Sequence, residues 1–236
     1  MHKGKADIER GKLFGKLSRE ISIAAKMGGG NPDSNPRLRL AIDKARGSSM
    51  PVDNIKRAVQ KGTGELAGAD YEEIVYEGYG PGGVAVLVEA ATDNRNRTVA
   101  DLRHLFSKYG GNLGEAGSVA WQFARKGVIT LPAAGRGEDE VLEAALEAGA
   151  EDLSSEAEYF EITTPADSLQ AVRDALESRG ITVDSAEAEM VAQNTVEPSA
   201  DHTRSLLKLL DALDDHDDVQ RVATNADMDD AVLSES

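Results

Sequence analysis

The sequence predicts an α+β protein of three domains: a small N-terminal helical domain, then two ferredoxin-like α+β domains, the middle one discontinuous. Three observations lead there. Apolar residues recur at helical spacing up to about residue 62, then switch to the alternation of strands from Tyr71 onward. Glycine and proline clusters punctuate the ends of the periodic stretches. The elements of 71–126 read β-β-α-β and lack a final α-β pair, which the chain supplies at 200–226. The expected boundaries are therefore 1–70 for a basic helical domain, 71–126 plus 196–228 for the middle domain and 127–195 for an inserted acidic domain. Residues 229–236 are expected to be a flexible tail.

The first helix is predicted over 5–27, where Leu13, Phe14, Leu17, Ile21, Ala24 and Ala25 recur every three or four residues. At about 100° per residue, Lys5, Lys12, Lys16, Arg19 and Lys26 fall within an arc of roughly 80° on the opposite side. Gly28-Gly29-Gly30 stops this helix. Asn35 reads as the N-cap of a second helix with Pro36 at its first position, ending at Gly47. Met50-Pro51 opens a third, with Ile55, Ala58 and Val59 on its apolar side and Gly62-Thr63-Gly64 at its end.

Strands follow at 73–77 and 84–88, joined by a Gly/Pro loop, then a helix at 98–109 and a strand at 118–123. In that last strand Trp121 and Phe123 share one face. Residues 127–193 then read β-α-β-β-α-β if 151–157 supplies a short strand, which is the ferredoxin-like order. A helix at 202–213 and a strand at 218–224 complete the middle domain.

Composition narrows the function. With 236 residues the chain has room for two or three domains. It has no cysteine, which excludes disulfides, thiolate metal sites and cysteine nucleophiles, and fits a reducing compartment. No apolar run reaches the roughly 20 residues that span a bilayer. The start, Met1-His2-Lys3-Gly4-Lys5, is not a signal peptide, and a cytoplasmic location is expected. The formal net charge is -16, but it is unevenly spread. Residues 1–62 hold 14 Lys and Arg against 6 Asp and Glu, and the remainder holds 12 against 36. Local potential, not the total, decides binding. The basic N-terminal segment is thus the expected nucleic-acid contact, using Lys5, Lys12, Lys16, Arg19 and Lys26 of the first helix, Arg37, Arg39, Lys44 and Arg46 of the second, and Lys56, Arg57 and Lys61 of the third. The competing reading is that some of these cations offset the acidic domains of the same chain.

Asp93-Asn94-Arg95-Asn96-Arg97-Thr98 is a polar loop before a helix. Arg95 and Arg97 are candidate phosphate clamps; the alternative is helix capping, with Asn96 or Arg97 preceding Thr98 and Thr98 with Asp101 reading as a capping-box variant. Gly78, Gly80 and Gly83 satisfy G-x-G-x-x-G, but a strand follows instead of the helix that a dinucleotide site needs, so a tight β-β connection is expected. The four histidines, His2, His104, His202 and His216, have no metal-ligand spacing. The runs Asp214-Asp215 and Asp217-Asp218 read as solvated turns. No catalytic constellation is found, and neither a metal nor a cofactor is expected.

Several segments in order resemble a known family. They are Arg10-Gly11-Lys12-Leu13-Phe14, Asn35-Pro36-Arg37-Leu38-Arg39, Ser49-Met50-Pro51-Val52-Asp53-Asn54-Ile55, Lys61-Gly62-Thr63-Gly64-Glu65, Tyr76-Glu77-Gly78-Tyr79-Gly80-Pro81-Gly82-Gly83, Thr92-Asp93-Asn94-Arg95-Asn96-Arg97-Thr98 and Gly110-Gly111-Asn112-Leu113-Gly114. The chain is similar to the YebC/PmpR family, which is related to mitochondrial translational activators of cytochrome oxidase. The resemblance is specific over 10–123; beyond 130 only the order of elements is shared. It implies three domains, the second discontinuous, and a role in gene expression. Some members are described as DNA-binding transcriptional regulators, others as ribosome-associated translation factors. The chain departs from the family in two places. A short basic Gly-His-Ser-Lys-Trp segment before the first helix is absent, so either the start is truncated or that contact is dispensable. Val52 stands where a cation is common.

The expected function is a non-enzymatic, DNA-binding transcriptional regulator acting as a monomer. The alternatives are an RNA- or ribosome-associated translation factor and, from another class, a small-molecule-sensing ferredoxin-like module.

Overall fold

The computed structural model describes residues 2–155 and 158–228, with side chains from Ala6 onward. The expected tail at 229–236 lies outside the described residues. Three helices come first: α1 (His2–Gly28), α2 (Pro36–Gly47) and α3 (Val52–Thr63). They enclose their own apolar cluster, including Leu17, Ile21, Leu38, Ile42, Met50 and Ile55. Asn35 caps α2 as expected, its Oδ1 accepting from the Leu38 N–H at 3.1 Å. Its amide also donates to the carbonyls of Ala24 and Gly29, so one buried side chain ties the end of α1 to the start of α2. α1 and α3 approach closely at Gly62, where an added Cβ would sit 2.2 Å from the Ser22 carbonyl oxygen. Ser22 Oγ donates to the Ala58 carbonyl across the same contact. Pro51 is the N-cap residue of α3, one position ahead of the helix it opens.

The next elements are β1 (Glu72–Tyr79), β2 (Ala85–Thr92), α4 (Arg95–Lys108), β3 (Asn112–Leu113) and β4 (Phe123–Pro132). Then come α5 (Glu138–Glu147), β5 (Asp152–Ser155), β6 (Tyr159–Pro165), α6 (Leu169–Ser178), β7 (Ser185–Ala192), α7 (Ala200–Asp214) and β8 (Val219–Thr224). Two four-stranded sheets result, ordered β3-β1-β2-β8 and β5-β6-β4-β7. The second has the ferredoxin-like order of a β-α-β-β-α-β chain. The first has the same arrangement with its strands threaded differently: the hairpin strand β1 comes ahead of β2, and β8 closes the sheet from far along the sequence. Val84, Val86 and Val88 meet Leu102 and Phe106 of α4 and Leu206, Leu209 and Leu213 of α7 in one cluster.

Two expectations are corrected. The strand expected at 118–123 is a turn and a short 3-10 segment, and β4 begins only at Phe123. The reason is Glu77, whose buried carboxylate accepts the N–H groups of Gly117, Val119 and Ala120 at 2.6–2.7 Å, leaving them none to give a ladder. Trp121 is accordingly 69% exposed while Phe123 is buried, so the two do not share a face. The helix expected from Thr98 starts at Arg95, because Asn94, not a later residue, accepts from the Arg97 N–H. The Gly78–Gly83 segment is the expected β-β connection, with Gly82 and Gly83 at φ +80 and +74, where a side chain is strained.

The chain divides into two compact units. One holds the residues up to Phe123 and from Ala192 onward; the other holds Ala124–Val191. The helical segment and the first sheet thus share a unit. The expected three-domain boundaries stand as a proposal, and one excision tests the discontinuous part of it. Gln193 N donates to the Gln122 carbonyl at 2.8 Å, so the chain ends flanking 124–191 meet. Replacing 124–191 with a short Gly-Ser linker is expected to leave a cooperatively melting protein with a native circular-dichroism spectrum. An unfolded product, together with a 71–123 fragment that folds alone, would reject the discontinuous reading.

Candidate nucleic-acid interface

The described cations on the basic face of α1 are not left without partners, as its sequence suggests they would be. That face lies along the corner between α7 and β8. Lys12 Nζ donates to Asp215 at 2.7 Å, and Lys16 Nζ reaches both the Asp214 carboxylate, at 3.1 Å, and its carbonyl. Arg19 donates to Asp218 at 2.7 Å and to the Ala91 carbonyl at 3.0 Å, and lies over the Tyr71 ring. Gln220 Nε2 donates to the Lys16 carbonyl, adding a neutral contact. Lys26 pairs with Asp70. The side chain of Lys5 lies outside those described.

Asp218 is the centre of this contact. Its side chain is 3% exposed and accepts from Arg19, from Arg97 at 2.9 Å and from Thr98 Oγ1 at 2.8 Å. Burial alone would raise its carboxyl, but the bonds from Arg97, Arg19 and Thr98 reverse that and hold it at about 2. The same pairing, with Asp93 assisting, raises the Arg97 guanidinium. The Asp217-Asp218 run is therefore not simply a solvated turn: its second residue is buried and bonded to three segments.

The other candidates divide. Arg37 donates to Glu20 and Glu73; burial would lower its guanidinium, but the two carboxylates raise it instead. Arg39 donates to the carbonyls of Pro32 and Asp33. Lys44 is exposed and has a partner of its own. Arg46 approaches Asp43 at 3.9 Å, and Arg95 approaches Glu72 at 3.7 Å, both loose and mostly exposed. Lys56, Arg57 and Lys61 are exposed on α3, and no ion pair to them is found among the described residues. With Ile55 and Ala58 buried, helical spacing puts all three cations, with Asn54 and Gln60, on the outward side. The structure thus gathers Lys12, Lys16 and Arg19 on internal carboxylates and leaves the α3 cations available. Sequence reasoning missed Asp214, Asp215 and Asp218 as partners; their spacing from α1, about 200 positions along the chain, carries no local signal.

Among the described residues no group of three or more His, Asp or Glu could hold a metal ion. No described helix is long and apolar enough to cross a membrane. The class is set by these features: a basic three-helix module with one open cationic helix face, joined to antiparallel α+β sheets.

Comparison with known proteins places the chain. Residues 1–65 match the model of the TACO1/YebC protein N-terminal domain, and 71–226 match that of the TACO1/YebC second and third domain. The chain belongs to the TACO1/YebC family. It is 56% identical over 233 residues to a probable transcriptional regulatory protein of Chlorobaculum tepidum, covering 98% of this chain and 93% of the relative. One of the same description from Trichlorobacter lovleyi is 57% identical over 226 residues, covering 96% and 91%. The crystal structure of a conserved hypothetical protein from Aquifex aeolicus superposes with a TM-score of 0.89 at 48% identity, covering 94% of this chain and 92% of that one.

The ion-pair centre makes a prediction about acid stability. The Asp218 carboxyl is ordinarily near 3.8 and is depressed to about 2 in the fold, so its contribution is present above pH ~4 and is lost as pH falls toward 2. That contribution is about 2 kcal/mol. Urea melts between about pH 2 and 6 are expected to show this loss in the wild type and a flatter acid limb in Asp218→Asn. Asp218→Ala, which leaves the largely covered Arg19 guanidinium without its carboxylate while Arg97 keeps Asp93, is expected to cost about 3 kcal/mol at neutral pH.

The two loop arginines are expected to separate under mutation. Arg97→Ala should lower the melting temperature, and Arg95→Ala, with its loose exposed partner, should leave it nearly unchanged. Equal effects on melting would remove Arg97 from the Asp218 centre.

Proposed function

We propose that this protein is a nucleic-acid-binding regulator of gene expression that works in the cytoplasm, with duplex DNA as its target and the outward face of α3 as its primary contact. One observation carries the reading. Most other cations of the helical module are engaged by carboxylates or carbonyls, whereas Lys56, Arg57 and Lys61 stand exposed on one face beside Asn54 and Gln60. Such a face supplies phosphate neutralisation from the cations and hydrogen-bonding groups of the kind that read base edges. A helix with one buried and one cationic side has the form needed to lie in a major groove. The description of the relatives as probable transcriptional regulatory proteins favours DNA over RNA. In this reading Arg46 and Arg95 are flanking contacts, and Arg19, Arg37 and Arg97 position the scaffold.

The test is equilibrium binding of a short duplex, followed by fluorescence anisotropy across a salt series. Lys56→Gln, Arg57→Gln and Lys61→Gln together are expected to weaken binding and to reduce the slope of log K against log salt by about 2–3, as three lost phosphate contacts require. The melting temperature should hold. Unchanged affinity and slope would reject the α3 face. Preference for single-stranded or ribosomal RNA over the duplex in the same assay would replace DNA as the target.

A further inference from the structure

The contacts of α1 with the α7–β8 corner are graded from the inside out. Lys12, Lys16 and Arg19 share one side of the helix, and each meets a different carboxylate: Asp215, Asp214 and Asp218. The innermost pair is enclosed, with Asp218 3% exposed. The outer two carboxylates are 69% and 73% exposed, and only their lysines are partly covered. A groove of about 320 Å³ runs along them; Lys44 and Arg221 also line it, as do Glu9 and Glu20. The outer carboxylates thus sit where anionic oxygens would sit if a phosphate chain lay in the groove.

We propose that Asp214 and Asp215 are an intramolecular stand-in for phosphate: they occupy Lys12 and Lys16 in the free protein, and nucleic-acid phosphates displace them to give α1 a second row of contacts. This inference rests on the nucleic-acid reading above and deepens it. Ion pairs with an exposed partner contribute little to stability, so exchanging one anion for another at Lys12 costs the fold little; at Lys16, whose side chain is 16% exposed, the bond to the Asp214 carbonyl can stay in place while the exposed carboxylate is exchanged. Arg19 is excluded from the exchange, because leaving Asp218 would strand a buried charge. Lys12 and Lys16 stand about 6 Å apart along the helix axis, at four residues of 1.5 Å rise, so both can engage one strand of phosphates. The arrangement also explains why a chain with a basic helix would place acidic residues against it: they keep the row from binding loosely to any polyanion.

The experiment compares charge-neutral variants of the full chain on the same short duplex. Asp214→Asn with Asp215→Asn is expected to bind about threefold to tenfold tighter at about 50 mM salt, with a steeper salt dependence. Adding Lys12→Gln and Lys16→Gln should remove that gain. Glu197→Gln with Asp201→Asn, which changes the net charge equally at the other end of α7, about 20 Å along the helix from Asp214, should leave affinity within about twofold. The inference is overturned if that control variant gains as much, because net charge alone then explains the effect. It is also overturned if the gain is absent, or if it survives loss of the two lysines. A failure of every variant and of the wild type to bind any duplex or RNA overturns the nucleic-acid reading and this inference with it. Binding that is abolished by the α3 substitutions but unaffected at Asp214 and Asp215 overturns this inference alone.

Discussion

A carboxylate removed from water has to be met by charge or hydrogen bonds, since the penalty of stripping its hydration amounts to several kcal/mol. Asp218 meets that demand with Arg19, Arg97 and Thr98, and much of the first unit is organised by the way those partners arrive. Arg19 comes from the middle of α1. Arg97 and Thr98 come from the first turn of α4, where the N-terminal end of the helix also favours a negative neighbour. Thr98 Oγ1 lies 2.8 Å from Thr92 Oγ1, which brings in the end of β2. The Asp218 backbone takes part as well, its carbonyl accepting from Ala91 N and its N–H donating to His216 Nδ1. One residue therefore fixes the helical module, the β2–α4 turn and the β8 strand against each other, although the sequence separates them by up to 199 positions. β8 in turn completes the sheet that β1, β2 and β3 leave open.

Glu77 plays a related part at another point of the same sheet. Three backbone N–H groups converge on its buried carboxylate and outweigh the burial that would raise its carboxyl, holding it below the ordinary glutamate range. The result is a turn in place of a strand. The alternation Val119-Ala120-Trp121-Gln122-Phe123 resembles a half-buried strand because local periodicity cannot register a carboxylate some 40 positions away. Elements whose causes are local were legible: Asn35 as a cap, the glycine stops, the apolar faces of α1, α2 and α3, and the β-α-β-β-α-β order of the inserted unit. The β8 closure was legible only by counting elements. The start of α4 was placed late because Thr98, buried against Asp218, resembles a cap when its long-range partner is unseen.

The candidate site shows the same limit in electrostatic form. Sequence gives the number and helical phase of the cations, and both are right for α1. It does not give their partners. Lys12, Lys16, Arg19 and Arg37 are paired across elements, so the net excess of positive charge in residues 1–62 overstates the positive surface available to a ligand. α3 escapes this because its phase is set by Ile55, Ala58 and the close approach at Gly62, which turn Lys56, Arg57 and Lys61 outward.

The strongly acidic remainder of the chain does not conflict with an anionic ligand. At physiological ionic strength the Debye length is about 8 Å, so exposed charges beyond that distance contribute weakly to a local contact. What governs an encounter is the balance of charge within a few residues of the contacting face. On α3 that balance is three cations against Asp53 in its first turn, where a carboxylate suits the helix dipole. Along the described part of α1 the balance is close to neutral, because Lys12, Lys16 and Lys26 each have a carboxylate beside them. Two basic helices of similar composition thus acquire different electrostatic characters, and the difference comes from what each one packs against.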